Sequence, residues 1–502
     1  MRDFYIDLYR IIDSSAGLAY RHGPETHTFR EMREQMLRIN SLLTGHTQAR
    51  VVVYAGKTFP TYSAIYAVVL SGNVWIPVNP DLPEDRNLEM IRASKPDLIL
   101  TDRPLPAKIA RFAEETGAKV ADLSALVSPQ APSRAFALDK GLGKDDVAYI
   151  MFTSGSSGTP KGVPMTHGNY IPFIRNAMRL LPFKKGEVFA DYHDFSFDIS
   201  IFYVFCAPLT ESALAPILKD EERAMPLRHI LHNKVTVLAT IPSTMLRIRM
   251  LARNKPTATD IRILFVCGEP FRLDLLDFCL NKLGVTDVYN FYGLTETGVE
   301  NFHHRCSPAD LAVYAEKNFA PIGLPLPGNP VRVTPEGELM IAGPQVTAGY
   351  LEGRSPERFE VLEGVRWFHT GDRVTEHGGV YFCNGRFDSQ IKLHGYRIEL
   401  MDIEANLRKI GGIDEAVCFV APWQGQEYLV AAVKNESALD PEDARRRLRA
   451  ALPDYMIPTE FFPIAEIPLN KAGKIDRPAI RRMFTDKLSG DVSSQAPRGA
   501  RI

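Results

Sequence analysis

The sequence predicts an α/β fold, because apolar strand-like runs alternate with amphipathic helical patterns through most of the chain. After about Pro330 the pattern changes to short strands separated by glycine turns, as in residues 337–343. The first pattern is typical of parallel α/β subdomains, and the second of a small antiparallel subdomain or barrel. The strand-like runs include residues 51–54, 98–101, 235–238 and 263–266.

A third pattern, a mixture of helices and strands, begins near Arg386 and predicts a small α+β domain. Its predicted helices are residues 399–407 and 441–451, and its strands are residues 416–420 and 428–433. The end of the chain is polar and rich in Ser, Pro and Gly, which is typical of disorder. The predicted domains are therefore an N-terminal domain (1–385), a C-terminal domain (386–487) and a disordered tail (488–502).

Composition narrows the class of protein. The chain has 502 residues, too many for one compact core. Its 59 basic and 60 acidic residues provide no overall field for nucleic acid or membrane binding. Six cysteines without a C-x-x-C pair suggest neither a zinc site nor a disulfide framework. Acidic residues at the N-terminus argue against a signal peptide, and no apolar run is long enough to span a bilayer. We expect a cytoplasmic protein with no nucleic acid partner.

The run at residues 152–162 is the most informative short segment, because it combines five hydroxyl residues, three glycines and Lys161 after an apolar strand. Glycines allow close approach of the backbone, hydroxyls and amides donate to phosphate oxygens, and lysine offsets charge. A Walker loop requires Gly-Lys-Ser/Thr, whereas Pro160 precedes the lysine here. A surface linker would not follow an apolar strand directly. The segment therefore predicts a polyphosphate site of another kind.

Four further segments place glycine beside polar or charged residues. Together with the first segment, and in this order, they resemble the motifs of the adenylate-forming (AMP-binding) superfamily. That superfamily includes adenylation domains of nonribosomal peptide synthetases, acyl-CoA synthetases and luciferases. The resemblance runs from about Gly72 to Arg477. The four segments are residues 290–297, 369–373, 384–392 and 468–477.

The resemblance implies an AMP-forming ligase that uses ATP and Mg²⁺. A carboxylate attacks the α-phosphate and expels pyrophosphate, so catalysis consists mainly of positioning and charge neutralisation. Tyr292 is implied to stack on adenine, Asp372 to bind the ribose hydroxyls, and Arg386 to make a second ribose or phosphate contact. Asn290 and Gly293 belong to the same nucleotide-binding set. The residues implied to hold the β- and γ-phosphates are Thr153, Ser154, Gly155, Ser156, Ser157, Gly158 and Lys161.

The same resemblance implies roles in catalysis. Glu296 would hold Mg²⁺ and Thr295 would contact the α-phosphate. Lys474 would be the mobile catalytic lysine of adenylation, Asp388 the hinge of a rotating C-terminal domain, and Lys392 the residue facing the site after rotation. Taken singly, these positions also fit an exposed helix-cap carboxylate (Glu296), a turn aspartate (Asp372), a surface arginine (Arg386) and an exposed loop lysine (Lys474). Lys471 competes with Lys474, but the Gly-Lys pair favours Lys474.

Asp198 narrows the range of possible substrates. The amino-acid-activating members of the superfamily carry an aspartate at this position, and it pairs with the α-ammonium group of the substrate. An unpaired buried aspartate would be costly in an enzyme for fatty or aryl acids. The alternative is an N-cap for a helix over residues 199–205.

The remaining pocket positions implied by the resemblance include three phenylalanines, which favour a small side chain. Glu300 would receive a polar or cationic group or face solvent. Cys267, the Phe-Ser-Phe-Asp run and residues 392–397 resemble D-alanine–carrier-protein ligases. These pocket positions are Ile199, Phe202, Thr240, Phe265, Cys267, Phe291, Val299 and Glu300.

We expect a stand-alone enzyme, since no carrier-type segment follows Lys474. It would adenylate a small amino acid and load the phosphopantetheine thiol of a separate carrier protein, or free coenzyme A. One alternative is an acyl- or aryl-CoA ligase of the same superfamily. Another is a catalytically inactive binding protein, against which Lys161, Glu296, Asp372 and Lys474 argue.

Overall fold

The computed structural model describes residues 2–138, 142–154, 160–387, 390–423, 426–435, 439–468 and 475–490. The chain divides into two compact units. Unit 1 comprises Met1–Pro80, Met90–Phe152 and Gly162–Phe387, and unit 2 comprises Asp81–Glu89, Thr153–Lys161 and Asp388–Ile502.

The helices and strands follow the predicted alternation. The helices are α1 (Arg2–Ser14), α2 (Phe29–Leu43), α3 (Phe59–Leu70), α4 (Glu84–Ser94), α5 (Ala107–Thr116), α6 (Leu123–Leu126), α7 (His167–Leu180), α8 (Ser200–Leu209), α9 (Asp220–Ala224), α10 (Pro226–Asn233), α11 (Pro242–Leu251), α12 (Leu273–Asn281), α13 (Asp310–Val313), α14 (Leu400–Leu407), α15 (Pro441–Arg449) and α16 (Arg477–Gly490). The strands are β1 (Leu18–His22), β2 (Glu25–Thr28), β3 (Arg50–Tyr54), β4 (Val74–Val78), β5 (Leu98–Thr101), β6 (Lys119–Asp122), β7 (Val147–Thr153), β8 (Lys161–Thr166), β9 (Val188–Asp191), β10 (Ala213–Pro216), β11 (Val237–Thr240), β12 (Ile263–Val266), β13 (Asp287–Tyr292), β14 (Phe302–Cys306), β15 (Leu324–Pro325), β16 (Val331–Val333), β17 (Glu338–Ala342), β18 (Phe359–Leu362), β19 (Val365–His377), β20 (Val380–Arg386), β21 (Gln390–Leu393), β22 (Tyr396–Glu399), β23 (Ile413–Trp423), β24 (Gln426–Asn435) and β25 (Glu460–Pro463).

Two large sheets form most of unit 1. One has the order β15-β14-β13-β12-β11-β9-β10-β1-β2, and the other β6-β5-β3-β4-β7-β8. The ladders joining β13, β12, β11, β9, β10 and β1 are parallel, as are those joining β6, β5, β3, β4 and β7. The predicted α/β fold with parallel sheets is confirmed.

The main core of unit 1 joins side chains of both sheets. Val51 and Tyr149 of one sheet and Phe189 and Ile263 of the other belong to the same buried cluster. Helices α3 and α8 are apolar around almost their whole circumference and are buried within this cluster. A helix that is apolar on all sides is stable only in such an interior position.

The stretch after Pro330 forms an antiparallel sheet with the order β16-β17-β19-β18, and β20 pairs with β19. In unit 2, the antiparallel pair β23 and β24 and the parallel strand β25 form a second small sheet, and α14 and α16 contact β23. Strands β21 and β22 form a hairpin. Residues 491–502, the greater part of the predicted tail, lie outside the described residues.

One predicted strand is displaced. The apolar run at 235–238 predicts a strand from Val235, but β11 begins at Val237, where it pairs with Ile263 of β12. Val235 is buried in the turn that follows α10, so its apolar character reflects burial and not strand pairing. Within the described residues, no helix combines the length and apolar character needed to cross a membrane.

His167, at the start of α7, makes the stability of unit 1 sensitive to acid. It is fully buried, and its Nδ1 contacts the Tyr5 hydroxyl, which also lies 2.5 Å from the Tyr170 hydroxyl. Burial lowers the pKa of His167 to about 4, and the Asp146 charge opposes this only in part. The unfolded chain therefore binds a proton that the folded chain excludes between about pH 6.5 and pH 4.

We expect the free energy of unfolding to fall as pH falls through this window, by about 2 kcal/mol between pH 7.5 and pH 5 from His167 alone. Denaturant unfolding monitored by tryptophan fluorescence at both pH values measures the loss. His167→Gln has no imidazole to protonate and should lose less on acidification. An equal loss in the variant would show that His167 is not responsible.

Candidate active site

Two predicted site residues, Thr240 and Tyr292, lie at one edge of the nine-stranded sheet. Thr240, Val266 and Tyr292 are the last residues of the neighbouring parallel strands β11, β12 and β13, and Asp191 is the last residue of β9. Ligands of open α/β sheets bind outside the carboxyl ends of the strands. The topology therefore brings these positions, well separated in sequence, to the edge where a ligand is expected.

The ribose-binding candidates form a buried polar cluster in unit 1. Asp372 is 2% exposed, and its carboxylate accepts hydrogen bonds from the Tyr292 hydroxyl and, at 2.6 Å, from Nη1 of Arg386. Nη2 of Arg386 donates to the Thr370 carbonyl at 3.0 Å. Burial, followed by the Asp372 charge, raises the pKa of Tyr292 well above its usual value, so the phenol remains a donor. The alternatives of a turn aspartate and a surface arginine are therefore wrong.

Two other nucleotide-site candidates support the backbone. Nδ2 of Asn290 donates to the Pro321 carbonyl at 2.8 Å, which ties β13 to the segment before β15. A Cβ atom on Gly293 would lie 2.0 Å from the Val299 carbonyl oxygen, so only glycine fits there. Contacts of these residues with nucleotide remain a prediction.

Glu296 lies in a 3₁₀ turn, Thr295–Thr297, which begins three residues after the last residue of β13. Its side chain is buried, with the residue 1% exposed, and Oε1 accepts a hydrogen bond from the Tyr350 hydroxyl at 2.8 Å. The Glu296 carbonyl accepts a bond from Thr347 N at 2.8 Å. An exposed helix-cap carboxylate is therefore excluded. A buried carboxylate oriented by a hydroxyl is a hard oxygen donor of the type that Mg²⁺ prefers, so the residues present fit that ion. Thr295 is half-buried beside it.

Asp198 does not cap α8. The helix begins at Ser200, its N-cap residue is Ile199, and no side chain makes the capping hydrogen bond. The backbone carbonyl of Asp198 accepts a hydrogen bond from Ile201 N in the helix at 2.9 Å. Burial first, and the Asp198 charge second, raise the pKa of Tyr149 well above its usual value, so this carboxylate and this phenol interact electrostatically. The N-cap interpretation is therefore wrong, because Ile199 and not Asp198 is the N-cap residue.

The three pocket phenylalanines touch one another. Phe202 and Phe265 have ring centroids 4.7 Å apart, and Phe265 stacks on Phe291 at 4.0 Å with an interplanar angle of 10°. Ile199, Cys267 and Val299 belong to the same buried cluster. Rings in direct contact leave little space between them, which supports the predicted preference for a small side chain.

Polar groups also lie among these pocket positions. Within the described part of the chain, the buried Oγ1 of Thr240 has no hydrogen-bond partner. Glu300 is 4% exposed, so the interpretation in which it faces solvent is wrong. Val299 has φ of +80°, a strained conformation for a β-branched residue. Nε2 of Gln345 donates to the Glu300 carbonyl at 2.8 Å and holds this strained segment.

Other predicted residues belong to unit 2 and are described separately. Thr153 ends β7, Ser154 follows it, and Lys161 begins β8. Lys392 lies on β21, where its backbone pairs with Arg397 of β22. Gly155, Ser156, Ser157, Gly158, Asp388 and Lys474 lie outside the described residues. The functional roles of all these positions remain predictions.

Sequence reasoning missed two groups of residues in unit 1. Tyr350, which orients Glu296, is 54 positions away and has no local signature. Lys57 forms a buried ion pair with Asp191. A charged residue at the end of an apolar strand run, as at Asp191, was the available signal.

Comparison with known proteins places the chain in a family. The protein family described as "AMP-binding enzyme" matches residues 13–351 of the chain. The chain belongs to the AMP-binding enzyme family. The predicted membership of the adenylate-forming superfamily is confirmed, and with it an enzyme of the AMP-forming ligase type.

Among its relatives in the family is the D-alanine--D-alanyl carrier protein ligase of Staphylococcus epidermidis, which is 29% identical over 476 residues, 92% of this chain and 95% of that protein. Phenyloxazoline synthase MbtB of Mycobacterium sp. (strain MCS) is 30% identical over 509 residues, 94% of this chain but 41% of that protein. The Vibrio cholerae adenylation domain AlmE, solved in complex with glycyl-adenosine-5'-phosphate, shares the fold of this AMP-binding enzyme, with a TM-score of 0.82, 22% identity and coverage of 97% and 98%.

Proposed function

We propose that this AMP-binding enzyme activates a small amino acid with ATP and transfers it to the phosphopantetheine thiol of a separate carrier protein. In the first step a carboxylate oxygen bonds to the α-phosphorus, the bond to the β-phosphate breaks, and pyrophosphate leaves. In the second step the thiolate attacks the acyl carbon and AMP leaves. The cytoplasm, where ATP is available and thiols stay reduced, is the expected compartment.

The observation that carries the proposal is Asp198. Its carboxylate is half-buried and does not cap α8. An α-ammonium group can pair with this carboxylate, whereas a fatty or aryl acid carries no cation that could do so. The D-alanine--D-alanyl carrier protein ligases that resemble this chain act, by name, on an amino acid and a carrier protein.

Other residues of unit 1 would bind the ribose, Mg²⁺ and the amino-acid side chain. Asp372, with Tyr292 and Arg386, presents a buried carboxylate for the two ribose hydroxyls. Glu296, oriented by Tyr350, would hold Mg²⁺, and that ion would offset phosphate charge as pyrophosphate departs. The stacked phenylalanines limit the amino-acid side chain.

A pyrophosphate exchange panel tests the proposal. The purified chain is incubated with ATP, Mg²⁺, labelled pyrophosphate and one acid at a time. The acids are glycine, both enantiomers of alanine, serine, proline, lysine, arginine, acetate and benzoate. We expect exchange with glycine, alanine or serine. Exchange with acetate or benzoate alone would favour the acyl- or aryl-CoA ligase instead, and exchange with lysine or arginine would assign a cation-binding role to Glu300.

Asp198→Asn should raise the KM for the amino acid by about 100-fold, because one charged hydrogen bond to the ammonium is replaced by a neutral one. The KM for ATP should change by less than about threefold, since the α-ammonium does not touch the nucleotide. Initial rates of pyrophosphate exchange over a matrix of both substrates separate the two constants. Equal increases in both would contradict the role of Asp198.

A further inference from the structure

Lys57 and Asp191 form a charged pair in the interior of unit 1. Nζ of Lys57 lies 2.8 Å from Oδ1 of Asp191 and 3.0 Å from its backbone carbonyl oxygen. Lys57 is 7% exposed and Asp191 0%. The Tyr62 hydroxyl donates to Oδ2 of Asp191. The carboxylate is therefore bonded at both oxygens.

The pair connects the two large sheets of unit 1. Lys57 follows β3 of the six-stranded sheet, and Asp191 ends β9 of the nine-stranded sheet. Both positions are at the carboxyl ends of parallel strands, the edge at which the candidate site lies. The pair is therefore a link between sheets on the ligand side of the fold.

Stability alone does not account for this pair. Removing two charges from water costs several kcal/mol per ion, and apolar residues of similar volume are often as stable. Burial lowers the pKa of Lys57 and raises that of Asp191, and each charge opposes the shift in the other. Because an apolar contact could stabilise the fold as well, the Lys57–Asp191 pair is best explained by the way it fixes the positions of the two segments that it joins.

That geometry extends to the loop that carries Asp198. Phe195, four residues after Asp191, lies with its ring centroid 5.7 Å from Nζ of Lys57, 5.1 Å from the Tyr62 ring and 6.0 Å from the Trp75 ring. The Ser200 hydroxyl donates to the Phe195 carbonyl at 3.2 Å and closes the loop around Asp198. Lys57 thus contacts the loop at its start, through Asp191, and at its centre, through Phe195.

We propose that Lys57 is a positioning residue for amino-acid binding, which through Asp191 and Phe195 holds the loop that presents Asp198 to the substrate ammonium. The inference rests on the proposed function. Lys57 touches neither reactant, and its effect is confined to the amino-acid side of the reaction. The six-stranded sheet thereby contributes to substrate recognition by the nine-stranded one.

Lys57→Met tests the proposal in the full chain, by pyrophosphate exchange with the best acid of the panel. We expect the KM for the amino acid to rise about 10- to 100-fold, as for a displacement of about 1 Å in a binding group, with little change in the KM for ATP. Lys57→Arg retains the charge and should recover part of the loss. A rise in both KM values alike, or in neither, would overturn the inference.

The chain offers a matched control at the other end of β9. Glu187 immediately precedes this strand and forms a partly buried ion pair with Arg262. Arg262→Met removes one charge of that pair and should lower stability without raising the KM for the amino acid. A rise equal to that of Lys57→Met would mean that loss of an ion pair at either end of β9 is sufficient, and would overturn the positioning role.

Two double variants complete the design. Lys57→Met with Asp191→Leu removes both charges and relieves the unpaired carboxylate, so it should fold even if Lys57→Met does not. Its KM for the amino acid should stay raised, and a wild-type value would overturn the inference. Lys57→Met with Asp198→Asn should show a rise much smaller than the product of the two single rises, because both act on one contact, whereas independent effects would contradict it. Absence of exchange with every amino acid in the wild-type chain would instead contradict the proposed function.

Discussion

Lys474→Ala should reduce amino-acid-dependent pyrophosphate exchange by about 100- to 1,000-fold, the effect of removing one preorganised charge that stabilises a transition state. Carboxylate and ATP are both anionic, and negative charge develops around the α-phosphate as pyrophosphate departs. A lysine supplies a compact point charge on a flexible stem, which suits a contact formed only during that step. The KM values for ATP and amino acid should change far less than kcat.

Lys471→Ala is the matched control, because it removes the same type of side chain three positions earlier in the same segment. We expect its exchange rate to stay within about twofold of wild type, since the catalytic role is assigned to Lys474. The reverse result, with Lys471→Ala inactive and Lys474→Ala active, would transfer the catalytic role to Lys471. Full exchange in both variants would contradict a lysine-dependent adenylation step in this segment.

Asp372→Asn should raise the KM for ATP by about 100-fold, because a carboxylate that accepts bonds from ribose hydroxyls becomes a neutral amide. The change also removes the buried anion that Nη1 of Arg386 contacts at 2.6 Å. That contact ties β20 to β19, and breaking a buried pair at one partner is destabilising. We therefore expect a lower thermal unfolding midpoint together with the weaker ATP binding.

Asp287→Asn separates these two effects. Asp287 begins β13, the strand that ends at Tyr292, and Nη2 of Arg305 contacts its carboxylate at 2.9 Å. This variant should lose stability without a change in the KM for ATP. Titration of both variants with ATP by calorimetry gives the affinity directly. Unchanged ATP affinity in Asp372→Asn would refute the assignment of Asp372 to the ribose.

Much of this architecture was predictable because the signals are local. Parallel strands buried on both faces consist of continuous apolar runs, as in residues 51–54 and 263–266, and these became β3 and β12. Short Gly-containing motifs can be recognised in the sequence because phosphate binding requires particular backbone shapes within a few residues. The order of five such motifs was enough to predict the superfamily.

Whether the side chains in these motifs are buried or exposed was not predictable from the sequence. Glu296 and Asp372 could each have been surface residues, and their burial depends on Tyr350, Tyr292 and Arg386. The first of these lies 54 positions from Glu296 and the second 80 from Asp372. Burial is a property of the whole packed unit and has no signature at a single position.

By itself, then, the sequence determined the fold class, the family and the type of enzyme, an AMP-forming ligase. These properties depend on periodicity and short motifs. The tertiary structure alone decided that Asp198 does not cap α8, that three phenylalanine rings pack together, and that Lys57 meets Asp191 across 134 positions. The physical reason is that the candidate site is built from side chains at the carboxyl ends of separate strands. Those ends become neighbours only when the sheets assemble.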